Sequence, residues 1–473
     1  MTGAMTVVLD VGKTLAKLSL WDPQGQLVAR RTRANTRVDT GDYIALDVEG
    51  VEAWLAETLA EFARCGPVGV IVPVAHGAAV AVLRKDRLAC PPIDYEDPTP
   101  VTDRKAYLRD RDQFRFSGSP ALPDGLNIGV QLHRLETLHP GLLGDGATIL
   151  PWAQYWAWRL SGVAASEVTS LGCHSDLWRP LEGRPSSLAR KRGWAERLAP
   201  LRRADEILGT LTPEWVGRTG LSADVAILCG LHDSNAALLA ARGFPEIADA
   251  ESTVLSTGTW FVAMRSPGRG QDVDMSLLDE ARDCLVNVDA YGRPVPSARF
   301  MGGREIELLT GLDTRRIDIG SDQPRLVSAA AAALQSGAMV LPTLTPGVGP
   351  FPHGRGRWTE APADDVHKRV LVCIYAALVA DAALDLIGSR DRLLVEGRFA
   401  EADVFVRALA ALRPETVVYA SNADNDVSYG ALRLLNPSLA PKSPLVVAKP
   451  LEADLASYRT AWLREAQRME ATA

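Results

Sequence analysis

Three short stretches hold the residue types from which phosphate chemistry is built: Gly230-Leu231-His232-Asp233-Ser234-Asn235, Leu9-Asp10-Val11-Gly12-Lys13-Thr14 and Ser256-Thr257-Gly258-Thr259-Trp260. In the first, a glycine turn delivers His232 and Asp233 just where a small-residue helix begins at 236–241. A helix N-terminus gathers anionic ligands through its free N–H groups and its dipole, so a carboxylate there stands beside bound phosphate. Asp233 and Ser234 also suit plain N-capping, the commonest work of such residues. The other two stretches favour chemistry, because each sets a small polar turn between two apolar strands. Gly12-Lys13-Thr14 ends like a P-loop, but that motif needs a glycine five residues before its second glycine and a helix after it. Position 7 is Val and residues 15–21 alternate as a strand, which excludes the P-loop. A glycine turn still holds phosphate through its backbone N–H groups.

The elements that position these stretches follow from periodicity. Residues 7–9, 15–21 and 27–31 read as strands separated by turns, and 49–64 as an amphipathic helix carrying Val51, Trp54, Leu55, Leu59 and Phe62. A continuous apolar strand at 68–74 ends in Ala75-His76-Gly77, and strand resumes over 78–83. Open α/β sheets place ligand contacts at such strand ends, which makes His76 a candidate contact, with a packed strand-end histidine as the alternative. Residues 91–123, rich in Pro, Asp and Arg, read as a surface excursion with Asp97 and Arg104 as its candidates. Residues 151–160 form a helix whose aromatic stripe suits a core, leaving Gln154 as its candidate contact.

In the second half, strands at 252–264 repeat the opening device, which suggests two related domains. Helix 368–388, strand 393–396, helix 402–412, strand 417–420 and helix 428–435 then alternate as a mostly parallel sheet does, with ligand-facing ends at 396–398 and 421–423. Arg299, Gly302, Gly303, Arg304 and Glu305 form a polar run at the start of a helix.

Composition bounds the class. A chain of 473 residues is too long for one core and suits two large domains or three ordinary ones. Lys and Arg number 51 against 58 Asp and Glu; the net charge of -7 argues against a nucleic-acid surface but not against a small phosphorylated ligand. Six cysteines without a C-x-x-C pair and seven histidines without H-x-x-x-H spacing point to reduced thiols and no structural zinc. The apolar start at 7–9 lacks a basic n-region and is cut by Asp10, and the apolar run 370–387 carries Asp381 and Asp385. Neither a signal peptide nor a membrane span is expected, and the cytoplasm is the expected compartment.

Together and in this order, the stretches resemble the carbohydrate kinases of the FGGY family, in the actin-like ATPase superfamily. Leu9-Asp10-Val11-Gly12-Lys13-Thr14 is similar to the family's opening phosphate loop, D-x-G-T-T or D-x-G-x-S, and Ser256-Thr257-Gly258-Thr259-Trp260 to its second, with a G-T-W triplet like that of rhamnulokinases. Gly230-Leu231-His232-Asp233 resembles the catalytic G-x-x-D or G-x-H-D segment, and Ala75-His76-Gly77 the M-H-G strand of xylulokinases.

The resemblance implies an α/β fold of two actin-like (ribonuclease H-like) domains facing across a cleft: 1–245 for sugar and base, 246–440 for nucleotide, then a tail, 441–473. It implies ATP and Mg²⁺ as cofactors and a small-molecule sugar as partner, a ketopentose or 6-deoxyketohexose such as xylulose, fuculose or rhamnulose. A homodimer is compatible with it; neither nucleic acid nor membrane is an expected partner. Asp233 is then the base, with His76, Gly77, Asp97, Gln154 and His232 around the sugar. Gly12, Lys13, Thr14, Thr257, Gly258, Thr259, Gly397, Arg398 and Asn422 surround the nucleotide, and Asp10 with Asp233 holds the metal. These types suit phosphoryl transfer, which needs positioned phosphates, charge neutralisation and a proton acceptor.

Two departures stand out. The adenine loop, usually G-G-G or G-G-S, reads Val395-Glu396-Gly397-Arg398-Phe399-Ala400, and Lys13 replaces a small hydroxyl residue. Two rival readings keep the fold: an actin-like ATPase acting as chaperone or sensor, and a polyphosphate hydrolase. The first would lack His232 beside Asp233 and need a partner-binding domain; the second would favour basic residues, which the net charge opposes.

Overall fold

The computed structural model describes residues 3–311, 317–421, 427–441 and 443–472, so Asn422 lies outside the described residues. The chain divides into two units. Unit one takes the chain up to Gly243, the segment Val286–Pro294 and the segment ending at Ala440; unit two takes the remainder.

Unit one is built on a seven-stranded sheet. Its order is Ile207–Thr210, Ala226–Leu228, Val68–Ala75, Met5–Val11, Leu15–Trp21, Leu27–Ala34, with Leu231–His232 also paired to Val68–Ala75. Met5–Val11 and Leu15–Trp21 form the expected antiparallel hairpin, while Met5–Val11 and Val68–Ala75 run parallel. Side chains alternate across a strand, and here both faces are covered, which is why 68–74 reads as one continuous apolar run. Val7, Leu9 and Leu18 pack on Leu55, Leu59 and Phe62 of the helix Val48–Phe62 and on Trp156 and Leu160 of Trp152–Ser161. Val8, Val70, Val72 and Val74 pack on the other side, against Ala236 and Leu239 of Asp233–Ala241 and Ala431 and Leu432 of Val427–Leu435. Those last two helices touch backbone to backbone, because a Cβ on Gly430 would lie 1.7 Å from the Ala236 carbonyl oxygen.

Unit two repeats the device. Ser252–Thr257 forms an antiparallel hairpin with Phe261–Ser266 and pairs in parallel with Arg392–Gly397, and Val417–Ser421 follows, also parallel. The long helix Asp365–Leu386 is buried along most of its length, and its Asp381 pairs with Arg413 (2.7 Å) and Arg459 (2.6 Å). Among the described residues no helix is long and apolar enough to cross a membrane.

Three segments differ from the sequence reading. Residues 91–123 are not a bare surface excursion: they include the helices Val101–Asp110 and Phe114–Ser117 and bury Asp94, Tyr107 and Asp112. Their buried positions are largely polar and paired, as Tyr107 and Arg111 are with Asp176, so no apolar period betrays the helices. Residues 441–473 are not a loose tail but part of unit two: Val446–Val447 extends its sheet and Leu455–Thr472 buries Tyr458, Trp462 and Met469. The helix Val427–Leu435, expected in the second domain, belongs to unit one, whose first break falls at Gly243 rather than 245.

Candidate active site

The strand Val68–Ala75 is the axis of the site in unit one. Asp10 lies opposite Val74 on one side of it; on the other, Leu231 lies opposite Val74 and His232 opposite Ala75. Asp10 and Asp233 therefore leave the carboxyl ends of two strands that flank a third, at backbone positions about 10 Å apart by strand spacing. Gly230 permits the approach. Its φ is +76°, and a Cβ there would come within 2.0 Å of the Pro73 carbonyl oxygen. Gln154 braces the same turn, fully buried, with Nε2 donating to the carbonyls of Cys229 (3.2 Å) and Gly230 (3.1 Å). The structure thus sets Gln154 behind the site rather than in it.

His232 is held from three directions. Its backbone N–H donates to Thr169 Oγ1 (2.9 Å), whose hydroxyl donates to Glu167 Oε2 (2.5 Å). Asn235 Nδ2 lies 3.3 Å from His232 Nδ1, and an amide nitrogen only donates, which assigns the ring proton to Nε2, 3.2 Å from Asp233 Oδ1. Gly77 leaves room for the ring: a Cβ there would lie 2.8 Å from His232 Nε2. Burial pushes the His232 pKa down to about 4, so the ring stands beside Asp233 as a neutral group. Burial raises the Asp233 pKa, opposed by nearby His76, by the Ser234 N–H (2.6 Å) and hydroxyl (3.2 Å), and by Lys17.

Beside these groups lies a cavity of about 210 Å³ lined by Gly12, Lys13, Thr14, Asn35, His76, Asp94, Glu96 and Trp152 among others. It is smaller than the roughly 300–1,000 Å³ of sites for drug-sized ligands, and its wall mixes charged and polar groups with apolar ones, as a small hydroxylated molecule requires. His76 is lowered in pKa by burial, bonds its own chain at Gly77 O through Nδ1 (2.6 Å), and meets Tyr95 edge-on at 5.6 Å. Lys13 is not an open phosphate ligand; its Nζ lies 2.5 Å from both carboxylate oxygens of the fully buried Asp94 and 4.9 Å over the Tyr95 ring. Asp97 is not on the cavity wall either, being paired with Arg134 at 2.6 Å, and Arg104 is spent on the Leu122 carbonyl. From the same segment Asp94 and Glu96 face the cavity, and proline- and aspartate-rich sequence does not say which carboxylate points inward. Asn35 was missed as well. It staples the first loop, its backbone N–H on Thr14 O (2.8 Å) and its amide on Gly12 O (2.7 Å).

Asp10 is almost fully buried and faces Lys17 across the hairpin, Nζ to Oδ2 3.2 Å. Among the described residues no cluster of three or more His, Cys, Asp or Glu forms a metal cage. Two hard carboxylates at strand ends without a cage suit Mg²⁺, which keeps waters and substrate phosphates and takes one or two protein oxygens.

In unit two, Thr257 and Gly397 sit opposite each other at the carboxyl ends of parallel strands. The Thr257 hydroxyl is engaged within the protein, donating to Glu396 O (2.6 Å) and accepting from Phe399 N–H (3.0 Å). It fastens the two loops together and is not an open contact. Gly397 is in the left-handed region (φ +81°) and a Cβ would lie 2.5 Å from Thr257 O, which explains why this glycine stands where the usual glycine run has gone. Gly258 and Thr259 are exposed at the hairpin tip, and a Cβ on Gly303 would lie 2.1 Å from Gly258 O, so the helix Gly302–Thr310 begins directly behind that turn. Arg398 is tied to Asp318 at 2.7 Å. Glu305 of the polar run points inward, accepting from Leu344 N–H, Thr345 N–H and the Tyr375 hydroxyl.

Residues 249–443 match the family model described as carbohydrate kinase FGGY, C-terminal domain. A crystal structure of a carbohydrate kinase from Novosphingobium aromaticivorans is 56% identical, with 99% of each chain covered and a TM-score of 0.95. The chain belongs to the FGGY carbohydrate kinase family. An L-fuculokinase from Salmonella typhi is 27% identical over 296 residues, 60% of each chain, so the alignment spans less than two thirds of that relative. A xylulose kinase from Lactobacillus acidophilus, at 15% identity and a TM-score of 0.75 over 98% of this chain and 97% of that one, shares the fold. The FGGY fold of two related α/β domains accounts for the repeated hairpin-and-parallel-strand device of the two units.

Proposed function

We propose that this FGGY kinase transfers the γ-phosphate of ATP to a hydroxyl of a small ketose, a ketopentose or 6-deoxyketohexose, with Asp233 as general base. The observation that carries the reading is buried His76 on the wall of a cavity of about 210 Å³, electrostatically linked to Asp233, which neutral His232 flanks. Similarity to an L-fuculokinase supports the choice of acceptor class.

In this mechanism the acceptor hydroxyl lies in the cavity, with His76, Asp94 and Glu96 as its polar wall. Asp233 accepts the hydroxyl proton as the oxygen bonds to phosphorus, and a carboxylate of raised pKa accepts it more readily. His232 stands against this carboxylate as a neutral neighbour, Nε2 3.2 Å from Oδ1. Asp10 and Asp233 are the residues that would hold Mg²⁺, which when bound neutralises phosphate charge. Gly12 and Thr14 in unit one and Gly258, Thr259, Gly397 and Arg398 in unit two are the proposed nucleotide contacts, with Thr257 positioning two of those loops. Lys13 is assigned instead to ordering Asp94 at the acceptor cavity.

The test is ADP release across ketoses, aldoses and polyols, followed by Asp233→Asn with the best acceptor. Turnover should fall by about 10²–10⁴-fold with acceptor binding retained. A variant of lower thermal midpoint but near-normal turnover would reduce Asp233 to a helix cap, and ATP hydrolysis indifferent to every sugar would favour an ATPase without an acceptor.

A further inference from the structure

Unit one carries a second, larger cavity of about 690 Å³, lined by Trp178, Leu201, Tyr291, Arg433 and Leu434 with a charged rim at 202–206. The rim is internally neutralised, Arg202 pairing with Glu206 at 3.5 Å and Arg203 with Asp205 at 2.5 Å. Arg433 has no such partner. Its Nε is sealed from solvent without an acceptor, and among the described residues no carboxylate or carbonyl bonds its terminal nitrogens, which are left to the cavity. Trp178 Nε1 on the same wall is likewise a buried donor without an acceptor. Desolvation lowers the Arg433 pKa, opposed among the described residues by the phenols of Tyr291 and Tyr429.

A desolvated cation without a counter-charge is costly, so its persistence asks for a reason. The surrounding wall supplies the other half of a recognition site: Tyr291 is 61% exposed and Leu201 49%, next to buried Trp178. Flat amphipathic rings bind apolar bodies at low entropic cost, and a guanidinium takes carboxylate or phosphate through paired donors. The wall is rigid, because Arg433 lies one turn beyond Gly430, whose helix sits backbone to backbone on Asp233–Ala241.

We propose that this cavity binds an organic anion with an aromatic or apolar body, its carboxylate or phosphate on Arg433 and its body against Tyr291 and Trp178. The test uses phenyl phosphate, benzoate, inorganic phosphate and benzyl alcohol, with calorimetry and ligand-observed NMR on wild type, Arg433→Gln and Arg433→Lys. Thermal midpoints first establish that both variants fold. Benzoate, phenyl phosphate or both should bind wild type, identifying the preferred anionic group, and weaken about 10–100-fold in Arg433→Gln, the range for losing a charge-assisted hydrogen bond. Arg433→Lys should recover part of the loss. Binding of the aromatic anions unchanged by Arg433→Gln, or their failure to bind wild type, overturns the proposal. So does benzyl alcohol binding as tightly as benzoate, or inorganic phosphate as tightly as phenyl phosphate.

Discussion

Gly77→Ala tests how closely the site is built. A Cβ at this position would lie 2.8 Å from His232 Nε2 and 3.2 Å from its Cδ2, with Cys173 Sγ behind at 3.6 Å. Carbon–nitrogen contacts settle near 3.4 Å or more, so the imidazole must withdraw by about half an ångström, and it is fully packed. The Nε2–Asp233 Oδ1 contact, now 3.2 Å, then opens by a comparable amount. Moving a polar neighbour away from a desolvated carboxylate costs about 1–3 kcal/mol, which in a rate is about 5–100-fold. Overpacking should also lower stability by about 1–3 kcal/mol. The assay is ADP release with the accepted ketose for wild type, Gly77→Ala, His232→Ala and the double variant, alongside calorimetric midpoints. Because Gly77 is argued to act only through the ring, the double variant should be about as slow as His232→Ala alone, with Gly77→Ala adding little. Normal turnover in Gly77→Ala, or two losses that multiply in the double variant, would refute the reasoning.

Three further outcomes follow from the same geometry. Asp10→Asn should leave the fold intact and raise the Mg²⁺ needed for half-maximal turnover at least about tenfold, measured by titration; an unchanged curve removes Asp10 from the metal role. Glu167, buried and raised to about 7 from an ordinary 4.5, stays protonated in the fold where the unfolded chain releases its proton. Stability is therefore lost as pH rises from about 4.5 to 7, by on the order of 3 kcal/mol, and the thermal midpoint of Glu167→Gln should lose that slope. Thr257→Val leaves Phe399 N–H without its acceptor and should cost about 1–3 kcal/mol and raise the KM for ATP, whereas Thr257→Ser should retain both; equal midpoints for Val and Ser would show that the hydroxyl fastens nothing.

The elements and the strand ends were legible because their signals are local. Continuous apolar residues at 68–74, alternation at 15–21 and the helical spacing of Val51, Leu55, Leu59 and Phe62 all report which faces are buried, and the structure buries them. The turns Gly12, Gly230 and Gly397 announced themselves because backbone approach there leaves no room for a side chain. So Asp10 reads as the end of a strand and Asp233 as the start of a helix from residue order alone.

Charge pairing, by contrast, is a property of three-dimensional neighbours. Nothing in residues 91–97 says that Asp94 turns inward to Lys13 while Asp97 turns to Arg134, 37 positions away. Gln154 and Thr257 have the composition of ligand contacts, yet the Gln154 amide nitrogen and the Thr257 hydroxyl are given to the carbonyls of Cys229, Gly230 and Glu396. Glu167 and Thr169, which anchor His232, sit more than sixty residues before it without any motif. Sequence by itself determined the main strands, their turns and that Asp10 follows a strand while Asp233 opens a helix, because hydrophobic period and glycine conformation act over a few residues. Only the tertiary structure decided which polar groups face the cavity and which are spent holding it, because a buried donor takes whatever acceptor the fold brings within about 3 Å, however far along the chain it lies.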